Sequence, residues 1–248
     1  MKPLISVVMI TIGDEKKYVS ESMDSFLKQE DVEVQLILST VDKDKSIKIA
    51  ENKDIKDIII NKKPNSYKQI SKGAKKAKGN WICCAGGNDV ALPFKLKDEY
   101  NLCKKYDKKI CYSALYHTNS NLKILSKALF CDYSYKEHLR GNFVADNALV
   151  NTELFMHYMP FKYEFNNYAY WDLWLRICEY EEKDIFVYNN KPNFLYRRQT
   201  RKSRRDQKLG NKKLWNKDEM DRRKMLSFHN FIYKPIPYEL RYGNRRKK

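Results

Sequence analysis

The stretch ISVVMITIGD, residues 5–14, decides the fold class. It is a continuous apolar run, rich in β-branched residues, that ends at Gly13 and Asp14, which is typical of a strand buried on both faces of a parallel sheet. The next stretch, KKYVSESMDSFLKQ at residues 16–29, places four apolar side chains on one helical stripe: Val19, Met23, Phe26 and Leu27. The sequence therefore predicts a central strand followed by a helix that covers the sheet.

The alternation of strand and helix continues to about residue 85. Strands are predicted at 32–39, 58–60 and 80–85, and helices at 45–52 and 66–78. This pattern favours an α/β fold with a mostly parallel central sheet flanked by helices and joined by right-handed crossovers. Ligands of such sheets lie at the carboxyl ends of the strands, which here are residues 11–14, 39–44 and 85–90. No GxGxxG or GxxxxGK[ST] motif occurs there, which argues against a dinucleotide or P-loop site.

The second half of the sequence is less regular. Strands are predicted at 109–116, 122–130, 186–188 and 193–198. A loop rich in Tyr and Asn precedes a helix that begins near Trp171. The sequence of this half therefore predicts four further strands and a helix that begins near Trp171, and it contains no internal repeat.

Charge is the most unusual property of the composition. The 49 Lys and Arg residues exceed the 31 Asp and Glu residues and give a formal net charge of +18, with many basic residues after Tyr196. Such an excess attracts phosphates, nucleic acids or anionic membrane surfaces. A helix predicted at 214–228 mixes apolar and charged residues, so we expect it to pack on the outside of the domain.

The six cysteines show no CxxC spacing, and three of them lie in apolar, strand-like runs. We interpret them as reduced thiols. The first apolar segment is much shorter than the roughly 20 residues of a membrane span and lacks a signal-peptide cleavage region. The expected location is cytoplasmic, with peripheral contact to an anionic membrane as a further expectation from the charge.

Four segments of the sequence occur in an order typical of one protein family. The first, ISVVMITIGD with YVSESMDSFLKQ, matches the family's opening strand, turn and helix at three positions: Thr11, Ser25 and Gln29. The second, LILSTVDKDKS at 36–46, ends where the family carries an aspartate pair that reads the donor base. Ser39 and Thr40 replace that pair here, whereas Asp44 keeps a later aspartate.

The third segment, GAKKAKGNWICCAGGND at 73–89, carries Gly-Gly-Asn-Asp where the family has an Asp-x-Asp-Asp metal motif. The fourth, AYWDLWLR at 169–176, matches the family's Trp-Asp-Leu-Trp-Leu-Arg helix but has Ala169 and Tyr170 in place of a Glu-Asp pair. Together the four segments resemble family 2 of the inverting glycosyltransferases, which have the GT-A fold. The resemblance covers roughly residues 4–203.

The resemblance implies a nucleoside-diphosphate sugar as donor, with Mn²⁺ or Mg²⁺ to neutralise the leaving diphosphate. The residues that it implies for donor binding are Thr11, Ser39, Thr40, Asn88, Asp89, Arg197 and Arg198. Asn88 and Asp89 are also the implied metal ligands, as a weak site. The alternative for residues 86–89 is a simple turn, because Gly and Asn are the residues that tight turns favour.

The general base of an inverting transfer comes, in the family, from the Glu-Asp pair. Tyr170 stands there instead and is a poor base near neutral pH. Asp172 is the nearest remaining carboxylate and the catalytic candidate, with a structural cap of the helix as the alternative; Glu164 is a weaker substitute. Trp171 and Tyr170 are expected to bind the acceptor, with core packing as the alternative for the tryptophans of this helix.

The predicted domain organisation is a GT-A domain at 1–205 and a basic helical extension at 206–248. Within the domain, 1–95 forms the nucleotide-binding half and 96–205 the acceptor half. The expected function is sugar transfer to a glycan, lipid or protein acceptor. Two alternatives stay open at this point: a catalytically inactive GT-A-like binding module, suggested by the missing carboxylates, and a nucleic-acid-binding protein. The charge alone suggests the latter, and no nucleic-acid-binding motif is present, so nucleic acid is not an expected partner.

Overall fold

The computed structural model describes residues 2–12, 16–162, 167–181, 184–198 and 212–231. Within these ranges the strands are β1 (Leu4–Ile10), β2 (Glu33–Val41), β3 (Asp57–Asn61), β4 (Trp81–Gly86), β5 (Val90–Ala91), β6 (Ile110–Ser113), β7 (Leu115–Thr118), β8 (Ile124–Ala128), β9 (Leu149–Asn151), β10 (Phe186–Asn189) and β11 (Phe194–Arg197). The helices are α1 (Lys16–Leu27), α2 (Ser46–Asn52), α3 (Ser66–Ala74), α4 (Lys95–Tyr106), α5 (Tyr135–Arg140), α6 (Thr152–His157), α7 (Ala169–Tyr180) and α8 (Lys212–Phe228).

The large sheet has the strand order β10-β6-β9-β4-β1-β2-β3. Strand β1 pairs in parallel with β2 and β4, β2 pairs in parallel with β3, and β6 pairs in parallel with β10. Only β9 runs antiparallel within this described sheet, between β4 and β6. The predicted mostly parallel α/β sheet is thus confirmed. Strand β9 was not predicted, because three residues are too few to show a periodic pattern.

A second sheet of four strands, in the order β5-β11-β7-β8, stands beside the large one. The prediction of a single strand at 109–116 is wrong. The chain leaves the large sheet at the end of β6 and enters the small sheet at β7, and the buried Ala114 lies between the two strands. The N–H of Ala114 donates to the Asn189 carbonyl at 2.9 Å, and its carbonyl accepts from the N–H of Asn193 at 3.3 Å. Both backbone groups are therefore satisfied at the switch.

Both faces of β1 are buried, as its continuous apolar run predicts. Val7 and Met9 belong to the core beneath α1 and α4, whereas Val8 belongs to the core beneath α3 and α7. Gly73 lets α3 approach the sheet, because a Cβ there would lie 2.3 Å from a methyl carbon of Val8. The alternating side chains of one strand therefore join two hydrophobic cores.

Helix α8 packs against α7 on the outside of the domain. Met225 and Leu226 of α8 are fully buried against Trp171 and Leu175 of α7. The predicted position of this helix is confirmed by these contacts. Among the described residues, no helix combines the length and the apolar character needed to cross a bilayer.

Candidate active site

A cavity of about 610 Å³ opens where β1 and β4 reach their carboxyl ends. One wall consists of these strand ends and of α3, through Ile10, Gly86 and Tyr67. The loop at 142–147 and Tyr170 of α7 form a second wall, and the small sheet contributes a third. The cavity lies at the edge of the sheet where the parallel strands predict a ligand site.

The loop at 86–89 lies within the predicted ligand segment 85–90 and packs against the end of β1. The N–H of Gly87 donates to the Ile10 carbonyl at 3.0 Å. A Cβ at Gly87 would lie 2.5 Å from the Thr11 methyl carbon, so no larger residue fits without displacement. Asp89 lines the cavity, and its Oδ1 accepts a hydrogen bond from the Arg197 backbone N–H at 2.8 Å.

Two side-chain oxygens turn toward the space above Gly86. A Cβ at Gly86 would lie 3.0 Å from Asn88 Oδ1 and 3.8 Å from Asp89 Oδ2. Because Gly86 has no side chain, the space beside these two oxygens is open. Among the described residues there is no group of three or more His, Cys, Asp and Glu side chains able to hold a metal ion. One carboxylate and one amide fit a divalent cation that takes its other ligands from phosphates and water.

Arg197, predicted to bind the donor, is built into the same loop from the other side. Its guanidinium lies 4.5 Å from the ring centre of Tyr18, donates to the Asn88 carbonyl and pairs with the Glu21 carboxylate. It is 3% exposed, so its charge acts at the loop and not in open solvent. Arg198 is exposed, and its backbone N–H donates to the Thr118 carbonyl at 2.8 Å.

The predicted donor-binding hydroxyls of Thr11, Ser39 and Thr40 are buried in internal hydrogen bonds. Thr11 and Thr40 both donate to Asp44 Oδ2, at 2.7 and 2.6 Å, and the Ser39 hydroxyl accepts from Asn61 at 3.1 Å. Burial acts to raise the pKa of Asp44, but the Ser46 N–H and the threonine hydroxyls outweigh it and lower that pKa. These groups tie the ends of β1 and β2 to α2, which favours a structural role.

Asp172, the predicted base, has no exposed surface and does not line the cavity. Its Oδ2 accepts from Arg176 Nε at 2.8 Å, and its Oδ1 lies 3.1 Å from His229 Nε2. A carboxylate enclosed by two cationic partners cannot reach an acceptor hydroxyl, so the structure favours the alternative of a structural carboxylate. Glu164 lies outside the described residues.

Of the two residues expected to bind the acceptor, only Tyr170 lines the cavity. The Trp171 indole points away from it, donates to the His138 carbonyl at 2.7 Å and packs against α8. The packing alternative is therefore favoured for Trp171. Sequence reasoning missed His117 and Asp146, which line the cavity and can accept a proton. Asp146 lies in a loop with no periodic pattern, and His117 lies in a strand whose partner sheet could not be foreseen.

The backbone of the loop that carries Asp146 is held by hydrogen bonds from two buried side chains. The carbonyl of Asn147 accepts from Lys95 Nζ at 3.0 Å and from the Cys83 thiol at 3.2 Å. Lys95 is fully buried and also pairs with Glu99 at 2.6 Å.

On the facing wall, burial and the charge of Arg198 lower the pKa of His117, so this imidazole is neutral at pH 7. The cavity thus combines a cleft of ligand size, two acidic side chains and a neutral imidazole.

Comparison with known proteins places this arrangement among glycosyltransferases. An uncharacterized glycosyltransferase of Methanocaldococcus jannaschii is 30% identical over 144 residues, which is 55% of this chain and 50% of that relative. The matched region thus spans about half the length of that relative. Residues 6–164, more than half of the chain, match the model of the family described as glycosyl transferase family 2.

Solved structures agree in fold. Residues 1–349 of Staphylococcus aureus TarS, in complex with UDP, superpose with a TM-score of 0.64 at 15% identity, covering 92% of this chain and 70% of that one. Glucosyl-3-phosphoglycerate synthase of Mycobacterium tuberculosis, in complex with Mn²⁺, UDP and glucosyl-3-phosphoglycerate, gives a TM-score of 0.60 at 11% identity, covering 91% of this chain and 80% of that one. The fold is the GT-A fold, and the chain belongs to glycosyl transferase family 2.

Proposed function

We propose that this protein transfers a sugar from a nucleoside-diphosphate sugar to a hydroxyl group of a glycan, lipid or protein acceptor. The observation that carries the proposal is the cavity of about 610 Å³ at the carboxyl ends of β1 and β4. Its volume lies in the range of small-molecule sites, and its walls combine apolar surface with a few polar groups. The family membership supports the same reaction class.

We infer that the donor diphosphate lies against the loop at 86–89. The TarS and glucosyl-3-phosphoglycerate synthase structures contain UDP, and the latter also contains Mn²⁺, which supports a nucleotide donor here. Asn88 and Asp89 would hold a divalent cation together with the donor phosphates. Such an ion supplies positive charge to the leaving diphosphate, and the Arg197 guanidinium, which is paired with Glu21, fixes the Asn88 carbonyl of the same loop.

The alternative is a GT-A-shaped module that binds a ligand without transfer. The specific observation in its favour is that Thr11, Thr40 and Asp44 are committed to one another at the place where the family reads the donor base. A module of this kind would bind a nucleotide or glycan in the cavity but release no nucleotide.

A donor titration tests the proposal. UDP-glucose, UDP-N-acetylglucosamine, GDP-mannose and dTDP-glucose are titrated by calorimetry with and without Mn²⁺, and nucleotide release is followed in the same samples. We expect saturable binding of one donor with slow release of its diphosphate. Asp89→Asn keeps the oxygen that accepts from Arg197 but removes the charge, so Mn²⁺-dependent donor affinity should fall about tenfold.

Asp54→Asn is the matched control for this substitution. Asp54 is exposed, pairs with the exposed Lys56, and has a positive φ of 58°, which Asn tolerates. The donor affinity of the Asp54→Asn protein should equal that of the unaltered protein. Binding of a donor without any release would support the binding module, and absence of binding by every donor would refute the transferase.

A further inference from the structure

The missing general base is the feature of this site that the family resemblance does not explain. The helix position that would supply it holds Tyr170, and the neighbouring Asp172 is enclosed by Arg176 and His229. An acceptor hydroxyl must nevertheless lose its proton during transfer. Within the part of the chain that the structure describes, a base for this reaction must therefore come from another element that reaches the cavity.

Asp146 meets this requirement by its position. Its side chain is exposed and lines the cavity, and its charge acts on both Tyr170 and Cys84 in the cavity wall. It thus reaches the neighbourhood of Tyr170, where the family's carboxylate would stand, from a different loop. A carboxylate is an effective base when it is ionised and faces the acceptor.

The buried hydroxyl of Tyr170 is a second observation that indicates a polar ligand in this part of the cavity. The Tyr170 side chain is 4% exposed, and its hydroxyl lies beside the Cys84 thiol but has no oxygen or nitrogen hydrogen-bond partner among the described residues. Burial, together with the negative charge of Asp146, raises the pKa of Tyr170 well above its ordinary value, so the hydroxyl stays neutral. A thiol is a weak hydrogen-bond partner, so the Tyr170 hydroxyl keeps the capacity to donate to a ligand oxygen.

The loop that carries Asp146 is held in a manner that suits a catalytic group. Lys95, fully buried, donates to the carbonyl of the next residue, Asn147, at 3.0 Å, and the Glu99 carboxylate fixes the Lys95 ammonium in turn. Buried charges of this kind are expensive unless they are paired. The Lys95–Glu99 pair lies beneath the exposed loop and therefore fixes the backbone that carries Asp146.

We propose that Asp146 is the general base of sugar transfer in this protein, an inference that rests on the proposed function. The Asp146 carboxylate takes the proton of the acceptor hydroxyl, and the acceptor oxygen forms a bond to the anomeric carbon. The bond from that carbon to the diphosphate oxygen breaks, and its electron pair leaves with the nucleoside diphosphate. Attack opposite the leaving group inverts the anomeric configuration.

Nucleotide release from the donor that binds in the calorimetric series, with water as the acceptor, tests the proposal. We expect Asp146→Asn to lower the rate of release about 100-fold or more while changing the donor dissociation constant less than twofold. The fall in rate toward acidic pH should disappear in this variant. Asp146→Glu should recover part of the rate, because it restores the carboxylate. Asp54→Asn is again the control, and the thermal midpoint of each variant shows whether it is folded.

Two results would overturn the inference while the transferase stands. One is an Asp146→Asn protein that keeps more than a tenth of the rate. The other is a His117→Gln protein that loses both the rate and the acidic limb while Asp146→Asn keeps them, since the His117 imidazole is another proton acceptor of the cavity. An unaltered protein that binds no donor would instead overturn the proposed function, and this inference with it.

Discussion

At the scale of single residues, burial decides which carboxylates are available for chemistry. Asp172 and Asp146 are both aspartates near the candidate site, but only Asp146 faces the cavity. Asp172 is held between Arg176 and His229, so its charge is used to keep two buried cationic groups satisfied. A carboxylate used in this way contributes to stability and not to proton transfer.

Asp172→Asn should therefore destabilise the protein without removing its activity. The substitution removes the counter-charge of Arg176 and one of the two carboxylate partners of His229, and we expect a loss of roughly 3 kcal/mol in the free energy of unfolding. Denaturant unfolding measures this loss, and nucleotide release per folded molecule should change less than threefold. A base would behave in the opposite way: stability would be kept, and turnover would fall by about 100-fold or more.

At the scale of elements, the contact between α8 and α7 joins the C-terminal helix to the domain. His229, just after α8, is buried between Asp172 and Glu179 of α7, at 3.1 and 2.7 Å. Burial acts to lower the pKa of His229, but its hydrogen bonds to these two carboxylates outweigh burial and raise that pKa. The helix is thus held partly by a protonated imidazole, in addition to Met225 and Leu226.

This contact should weaken as the pH rises. Because the folded-state pKa of His229 is raised, its contribution is complete below the unfolded value of about 6.5 and is lost as the pH rises through the raised value. We expect His229→Gln to cost about 1.5–3 kcal/mol at pH 6 and distinctly less at pH 9. Thermal unfolding at both pH values measures the difference, and hydrogen exchange of residues 212–228 locates it. An equal cost at both values would exclude a charged His229.

At the scale of the whole molecule, one buried network joins the large sheet, the small sheet and the cavity loop. Glu99 of α4 accepts from Ser113 at the end of β6 and from Asn193 just before β11, at 2.6 and 3.0 Å. Its partner Lys95 holds the carbonyl of Asn147. Burial acts to lower the pKa of Lys95, but the Glu99 carboxylate outweighs burial and raises it, so the Lys95 ammonium stays charged.

Lys95→Met should be strongly destabilising, by about 3–5 kcal/mol, because it leaves the Glu99 carboxylate buried without its counter-charge. In the double variant Lys95→Met with Glu99→Gln, the amide oxygen still accepts from Ser113 and Asn193, so most of the loss should be recovered. Denaturant unfolding of the three proteins measures both effects. If the double variant were as unstable as Lys95→Met, the loss would come from packing and not from the unpaired charge.

Much of the N-terminal half could be predicted from the sequence. The apolar run of β1 requires burial on both faces, the stripe of α1 requires a sheet beneath it, and parallel strands place the loop at 86–89 at a common edge. These features depend on short-range periodicity, which a single sequence contains. Asn88, Asp89 and Tyr170 became candidates through the family resemblance, and all three lie at or beside the cavity.

Only the tertiary structure decided which polar residues face a ligand. Thr11, Ser39, Thr40 and Asp172 have the residue types and positions of site residues, but long-range partners such as Asp44, Asn61 and His229 bury them. Asp146 carries no local signal and reaches the cavity because β9 inserts antiparallel between β4 and β6. Exposure and pairing depend on residues far apart in the chain, so the sequence by itself determined the fold and the edge that holds the site, and the packing determined its chemistry.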